Sequence, residues 1–243
     1  MNWTQSPTDE LESVSYEFWR APEVAELDGW RLRFAHGFTG RANSVWPNGS
    51  GSLPVGEKIE RVEEWYRARG LPPMFQLTEA AQPAGLDRLL GQRGYALRGE
   101  PVSVRLAPLD NVVARTWGEA ELSEELDDEW VALWAGTRGF DRLDVARALL
   151  DAGRRAFARV DDVAVGRGVV VGEWLGVTSM ATLPQARRRG YGRAILHALA
   201  TWAAGRGCKR ALLQVERGNL AAENLYASAG FVPHHDYHYR KLA

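Results

Sequence analysis

The chain has 243 residues, of which 45% are hydrophobic, enough for one large or two small cores. Its 30 basic and 31 acidic residues leave a formal charge of −1, which provides no overall positive field for binding nucleic acid or anionic lipid. The single Cys208 excludes an intramolecular disulfide, and no apolar stretch approaches the roughly 18–20 residues of a membrane span. Without a signal-peptide pattern as well, we expect a cytoplasmic protein that binds neither membranes nor nucleic acid.

The first hundred residues mix helical and extended patterns. Apolar residues at helical spacing predict helices over residues 7–20, 57–69 and 86–93. Alternating or continuous apolar stretches predict strands over residues 29–34, 42–46, 74–77 and 102–106. Gly94 follows the last helix, where a glycine is preferred as a C-cap.

The remaining residues follow a boundary that we predict near residues 108–111. Strands are predicted over residues 112–117, 157–160, 163–172, 174–183, 211–215 and 237–242. Helices are predicted over residues 121–137, 143–152, 192–206 and 220–229. The third of these helices has Ile195, Leu199 and Trp202 on one face, which is typical of a helix that packs on a sheet. This order predicts an α/β (α+β) fold, a mixed sheet with helices on its faces.

An internal repeat relates the two parts of the chain. Residues 64–70 (EWYRARG) resemble residues 201–207 (TWAAGRG), and each stretch is followed by a strand, a helix, a glycine-aromatic pair and a final strand. The repeat predicts two tandem copies, which we place at residues 1–108 and 109–243.

A loop with four arginines leaves the predicted strand 174–183 and enters the helix 192–206. The N-terminus of a helix has unpaired N–H groups and a partial positive charge, so arginines there are unfavourable unless an anion binds between them. Gly190 and Gly192 would let the backbone approach such an anion closely. The alternative is a solvated arginine turn before a surface helix.

The loop resembles the acyl-coenzyme A loop of the GNAT superfamily of N-acetyltransferases, because Arg187-x-x-Gly190-x-Gly192 fits the pattern Arg/Gln-x-x-Gly-x-Gly/Ala. The resemblance covers roughly the last 130 residues. It implies that Arg187 and the backbone of the next six residues hold the pyrophosphate of coenzyme A, namely Arg188, Arg189, Gly190, Tyr191, Gly192 and Arg193. It also implies main-chain contacts to the pantetheine arm from Met180, Ala181 and Thr182.

A second motif lies one strand downstream, where residues 219–231 match the family signature Asn-x-x-Ala-x-x-Leu-Tyr-x-x-x-Gly-Phe. Asn219 and Tyr226 are seven residues apart, so both side chains can face one ligand. The resemblance implies that Asn219 contacts the coenzyme and that Tyr226 protonates the leaving thiolate. Alternatively, Asn219 is only a helix N-cap and Tyr226 a core aromatic residue.

The resemblance implies a mostly antiparallel central sheet flanked by helices, in two tandem copies. It implies an enzyme that uses acetyl-CoA as co-substrate and needs no metal. The acceptor would be a primary amine of a small molecule or peptide, and a backbone N–H of residues 180–182 would polarise the thioester carbonyl. A non-catalytic acyl-CoA-binding regulatory module and a transferase with another acyl donor stay open, as do a monomer and a homodimer.

The general base is less defined, because many family members have a carboxylate where this chain has Gly176. Glu173 and Glu216 are the nearest carboxylates by topology, although either can be a solvated strand-end charge, and deprotonation through water is a third route. His234, His235 and His238 do not predict a metal site, since adjacent strand residues point to opposite faces.

The first copy has lost the motif residues. By the repeat offset, the arginine loop corresponds to residues 50–55, Tyr226 to Leu90 and Asn219 to Pro83. We therefore expect one coenzyme site, in the second copy, and a first copy that shapes the acceptor pocket or the interface between the copies. Residues 48–52 either cradle an anion or form a flexible hairpin loop. Residues with a possible place in the acceptor pocket are Arg41, Asn43, Ser44, Trp134, Phe140 and Asp141.

Overall fold

A computed structural model describes residues 6–114 and 118–243. Its helices are α1 (Thr8–Phe18), α2 (Val55–Arg67), α3 (Leu86–Gln92), α4 (Leu109–Val113), α5 (Asp128–Gly136), α6 (Leu143–Leu150), α7 (Tyr191–Ala204) and α8 (Leu220–Ser228). Short 3-10 turns lie at Arg41–Asn43 and Pro184–Ala186. Within the described residues, no helix is both long and apolar enough to cross a membrane.

The strands form a single sheet of 11 strands in the described part of the chain. They are β1 (Glu23–Leu27), β2 (Trp30–Phe34), β3 (Val45–Trp46), β4 (Met74–Leu77), β5 (Ala96–Pro108), β6 (Glu121–Ser123), β7 (Arg154–Val160), β8 (Ala164–Val171), β9 (Trp174–Thr182), β10 (Arg210–Glu216) and β11 (Val232–Lys241). Their order is β1-β2-β3-β4-β11-β5-β10-β9-β8-β7-β6. Only β3 with β4 and β9 with β10 pair in parallel, which confirms the mixed, mostly antiparallel sheet.

The final strands of the two predicted copies are exchanged at the centre of this sheet. β5 lies between β11 and β10, so Leu106 faces Val232 on one side and Leu212 on the other. On its other edge β11 pairs with β4, and there His238 lies opposite Leu77. Each copy therefore completes the sheet of the other. The division at residue 108 stays a prediction, and the exchange joins the two parts in one layer.

Several elements differ from the sequence-based expectation. The expected strand at 112–117 is wrong for its described residues, because Leu109–Val113 is a short helix whose Leu109 and Val112 are buried; residues 115–117 lie outside the described part. The expected helix at 121–137 is split, since β6 pairs with β7 and α5 begins only after Asp127. Asp127 caps α5 by accepting a hydrogen bond from the Trp130 N–H at 2.6 Å.

A buried arginine ties the helices of both parts to the sheet. Arg167 of β8 donates to the backbone carbonyl of Phe18 in α1 at 2.9 Å and to that of Leu150 in α6 at 2.7 Å. Burial lowers its pKa to about 9, which still leaves it protonated at neutral pH. Since a buried cation is stable only with its hydrogen bonds made, Arg167 fixes how α1 sits against β8.

Candidate active site

The site begins where the parallel strands β9 and β10 stop pairing. Their pairing runs from Trp174 and Arg210 to Val177 and Leu213, although both strands continue beyond it. Ser179 has a φ of 55°, and the register of β9 on β8 shifts at the same place, between Val165 and Arg167. This β-bulge turns β9 away from β10 and opens a cleft in the sheet.

A cavity of about 400 Å³ occupies this cleft. It brings together Met180, Asn219 and Tyr226, which the family resemblance implied, and Glu216, which the order of the elements suggested. Sequence analysis missed much of the rest of the wall, including Arg98, Arg138, Ser179, Gln214, Tyr237 and Tyr239. Arg98, Tyr237 and Tyr239 lie on the exchanged strands, so their presence follows from the sheet topology rather than from a local motif.

Tyr226 of α8 is buried in the wall of the cavity, with its ring 6.0 Å from that of Phe231. Burial raises the pKa of the Tyr226 phenol to about 12, and the positive charge of Arg138 partly opposes that effect. The side chain is therefore a neutral O–H donor at physiological pH, facing the cavity.

Asn219 caps α8, as the alternative interpretation of its role predicted. Its Oδ1 accepts a hydrogen bond from the Ala222 N–H at 3.2 Å. Since Asn219 also lines the cavity, capping does not remove it from a ligand placed there. Its contact with the coenzyme stays a prediction.

The arginine loop leads into α7 through Gly190, which has a φ of 87° and is the N-cap of the helix. A side chain at Gly190 would meet nothing within 4 Å, so the glycine is required by its backbone conformation and the space above it is open. Arg187, Arg188 and Arg189 are exposed beside it. The Arg187 Nε donates to the Thr182 carbonyl at 3.4 Å, which ties the loop to the end of β9.

The first turn of α7 also packs on α8. A Cβ at Gly192 would lie 3.0 Å from Leu225, so this glycine is explained by contact between the two helices as well as by approach to a ligand. Arg193 donates to the Ser228 hydroxyl at 3.3 Å, and Tyr191 packs half-buried against the hydrophobic core. Ala181 and Thr182 continue β9 past the bulge, opposite Val165 and Ala164.

The two carboxylates considered as the base lie at opposite ends of the sheet. Glu216 ends β10 and lines the cavity. Glu173 precedes β9 at the other end, is not among the cavity residues and forms an ion pair with Lys209, which lowers its pKa. The structure therefore does not bring Glu173 to the site. Gly176 has its own explanation, since a Cβ there would come within 2.3 Å of the Phe18 ring.

The residues predicted for the acceptor pocket differ in whether they line the cavity. Arg41 lines the cavity, whereas the Asn43 amide is buried and accepts from the Ala35 and Gly37 N–H groups. Ser44 is fully buried and bound to Arg33, and Trp134 is 2% exposed in the core. Phe140 packs on Phe38, and neither it nor Asp141 lines the cavity. Of this group, only Arg41 faces the cleft.

Comparisons with known proteins agree with this geometry. A family profile described as "Probable histone acetyltransferase Rv0428c C-terminal" matches residues 6–240. The chain belongs to this GNAT acetyltransferase family. The "Probable histone acetyltransferase Rv0428c" of Mycobacterium tuberculosis is 31% identical over 94% of this chain and 72% of its own length. The "Uncharacterized N-acetyltransferase YobR" of Bacillus subtilis is 27% identical over 95% and 96% of the two chains.

Solved structures of GNAT proteins share the fold. A GCN5-related N-acetyltransferase from Kribbella flavida superposes with a TM-score of 0.69 at 15% identity, over 98% of this chain and 96% of that one. The protein is thus an acyltransferase of the GNAT type. Within the described residues no group of three or more His, Cys, Asp or Glu side chains could hold a metal ion, and His235 is instead bound to the buried Glu12 at 2.9 Å.

Proposed function

We propose that this GNAT acetyltransferase moves an acetyl group from acetyl-CoA to a primary amine by direct attack of the amine on the thioester. The observation that carries the proposal is the cleft between β9 and β10, which has a neutral tyrosine hydroxyl in its wall and lies beside the open arginine loop. The reaction class follows from the family, and the residues proposed for the reaction line the cleft.

The residues of the second part fit acetyl-CoA. The Ser179 hydroxyl at the bulge is buried, lines the cavity and has no hydrogen-bond partner among the described residues, which suits a ligand that passes along β9. We assign the pyrophosphate to the start of α7, from Arg187 to Arg193, and the pantetheine arm to Met180, Ala181 and Thr182. When bound, the co-substrate supplies the activated acyl group.

Tyr226 is proposed as the general acid. With a pKa of about 12 it keeps its proton across the physiological range, and it gives that proton to the departing sulfur as the carbon–sulfur bond breaks. Solvent then restores the phenol. A backbone N–H near Met180, on the strand that the bulge turns outward, polarises the carbonyl oxygen.

Glu216 is proposed as the base that accepts the proton lost by the amine, directly or through water. It lines the same cavity as Tyr226, and it ends a strand that pairs with β5 rather than with β9 at that point. Because Gly176 accommodates Phe18, the interior of β9 has no room for a carboxylate at that position. We therefore place the base at Glu216 of β10 or in solvent, and not on β9.

The test is a thiol-release assay with acetyl-CoA against a panel of primary amines: polyamines, amino sugars, amino acids and peptides. A peptide from a histone tail belongs in the panel, because the Mycobacterium tuberculosis relative is named a probable histone acetyltransferase. We expect coenzyme A release that depends on one acceptor class. Turnover with another acyl donor alone, or acetyl-CoA binding without transfer to any amine, would contradict the proposal.

Calorimetry gives the stoichiometry of the same complex. We expect one acetyl-CoA per chain, since the arginine loop occurs only in the second part of the sequence. Two equivalent sites per chain would show that the first copy has kept a coenzyme site.

A further inference from the structure

Three arginines line the cavity, and none of them forms an ion pair within the described residues. Arg98 of β5 contacts the Met74 sulfur at 3.8 Å, whereas Arg41 and Arg138 each lie beside a tryptophan ring. Arg41 comes from the 3-10 turn after β2, and Arg138 from the segment between α5 and α6. Both line the cavity, and neither takes part in any ion pair formed within the described residues. Arg41 donates to the neutral Gln214 side chain, and Arg138 to the Met180 carbonyl at 3.4 Å.

Arg41 and Arg138 each lie beside a tryptophan, and the two tryptophans contact each other. Arg41 lies 5.3 Å from the centroid of the Trp19 ring, and Arg138 lies 5.7 Å from that of Trp134. The two indoles contact each other edge to face, with centroids 6.1 Å apart. One arginine and one tryptophan come from each predicted copy, so this arrangement exists only where the two parts meet.

The positive charges of Arg41 and Arg138 act on each other. Although Arg138 keeps contact with solvent, its partial desolvation lowers the pKa of the guanidinium, and the positive charge of Arg41 lowers it further. The carboxylates in the cavity wall, Glu100 and Glu216, are exposed residues on β5 and at the end of β10, and neither is ion-paired with these arginines. Two cations that act on each other and donate only to neutral protein groups favour an anion that contacts both.

We propose that the amine acceptor of this enzyme carries an anionic group, a carboxylate or a phosphate, and that Arg41 and Arg138 hold that group together. The inference rests on the acetyl transfer proposed above and adds the class of acceptor. Glu216 then lies on the amine side of the acceptor and the two arginines on its anionic side. A lysine-rich peptide, with many cations and no anion at that place, is expected to be a poor substrate.

The test measures binding of matched amines by calorimetry, with the enzyme saturated with coenzyme A. The probe pairs are γ-aminobutyrate with butylamine and glucosamine 6-phosphate with glucosamine, so that the carboxylate and the phosphate are tested separately. We expect the anionic member of at least one pair to bind at least about tenfold more tightly, because hydrogen bonds to charged groups are the strong ones. Equal affinities in both pairs, or no detectable binding of either anionic probe, would overturn the proposal.

Variants separate this role from a structural one. Arg41→Gln and Arg138→Gln should each reduce the preference to about threefold or less, and Arg41→Lys should keep part of it. Arg142→Gln is the matched control, since Arg142 is an exposed arginine near Arg138 that pairs with Asp144 and does not line the cavity. Loss of acetyl-CoA affinity in the Arg41 or Arg138 variants would assign these residues to the coenzyme and contradict the proposal. If the acetyl transfer itself were absent, the probe preference would still be measurable, so the two failures can be told apart.

Discussion

The loops before α2 and α7 occupy the same place in the predicted repeat, yet they are filled differently. Before α2, the carboxylate of Asp28 accepts hydrogen bonds from the Ser52 and Leu53 N–H groups at 2.9 and 2.8 Å. Lys58, fully buried, donates to the carbonyls of Asp28 and Ser50 at 2.7 and 3.0 Å. Before α7, the arginines are exposed and the space over Gly190 is open.

Backbone N–H groups near a helix N-terminus can bind either a carboxylate of the same chain or a separate anionic ligand. N–H groups beside a helix N-terminus attract an anion, and in the loop before α2 the Ser52 and Leu53 N–H groups bind the chain's own Asp28 carboxylate. The hydrogen bonds from Ser52 and Leu53 are the main cause of the lowered pKa of Asp28, so it stays ionised there. Of residues 48–52, Ser52 contacts the Asp28 carboxylate, so the charge held by this loop is the chain's own. The binding of a ligand at the corresponding loop of the second part stays a prediction.

The largest effect is expected from Tyr226→Phe, a change in the second predicted copy. Loss of a general acid typically lowers turnover about 10²–10⁴-fold, while the retained ring preserves packing. Because the pKa of Tyr226 is about 12, its own ionisation should leave the wild-type rate unaffected from pH 6 to about 10. The defect should shrink as pH approaches about 8.5, where a thiolate leaves unassisted. The measurement is kcat with acetyl-CoA across this range.

Leu90, which corresponds to Tyr226 by the repeat offset, provides the control in the first predicted copy. Leu90 is fully buried, so Leu90→Ala should lower the free energy of unfolding by about 2–5 kcal/mol and leave kcat of the folded enzyme unchanged. A Tyr226→Phe enzyme that is active but unstable would make Tyr226 a core residue like Leu90.

Gly51→Ala is expected to have the next largest effect, on stability alone. A Cβ at Gly51 would lie 2.1 Å from the Asp28 carbonyl oxygen, and the φ of 65° adds backbone strain. We expect a loss of about 3 kcal/mol in the free energy of unfolding, measured with denaturant, and an unchanged acetyl-CoA affinity. Weaker acetyl-CoA binding by the folded variant would mean that the filled loop takes part in the coenzyme site.

Gly190→Val is the matched change in the open loop. No neighbour obstructs the new side chain, so only the backbone strain of about 1–2 kcal/mol should appear in the stability. The acetyl-CoA dissociation constant should rise about tenfold or more, because the side chain occupies space that the ligand needs. An unchanged affinity in calorimetry would show that the loop is misassigned.

The smallest effects are expected from Arg187→Ala and Arg189→Ala. Both side chains are exposed, so each should raise the KM for acetyl-CoA about two- to fivefold without changing the melting temperature. The increase should be larger for acetyl-CoA than for its dephospho form if the arginines contact the 3′-phosphate, and equal if they contact only the pyrophosphate. No change in KM for either variant would favour the solvated arginine turn.

Local patterns were enough to locate much of this molecule. The motif at residues 219–231 placed Tyr226 correctly on α8 and Asn219 at its start, where it is the N-cap, and helical spacing located α7 to within two residues at each end. These predictions succeeded because caps, periodicity and glycine positions are set by neighbours along the chain. Glu216 was named from the order of the elements, and it does lie in the cavity.

Features that depend on distant contacts were not predictable. The bulge at Ser179 has a positive φ without a glycine to signal it. The reason for Gly176 is Phe18, a residue of the first helix, and Arg41 and Arg138 line one cavity although they are far apart in the sequence. Glu173 was named by topology, but it lies just before β9, at the end of that strand away from the cavity.

The exchanged strands also determine when the protein can finish folding. β4 and β5 are both made early, but the strand that joins them, β11, is made after every other strand of the described sheet. Until then, one edge of β4 and one edge of β5 present unpaired N–H and carbonyl groups, the kind of template on which chains aggregate. Arg98 and Glu100 are exposed charged residues on β5, and charges of this kind disfavour pairing of a strand edge with another chain.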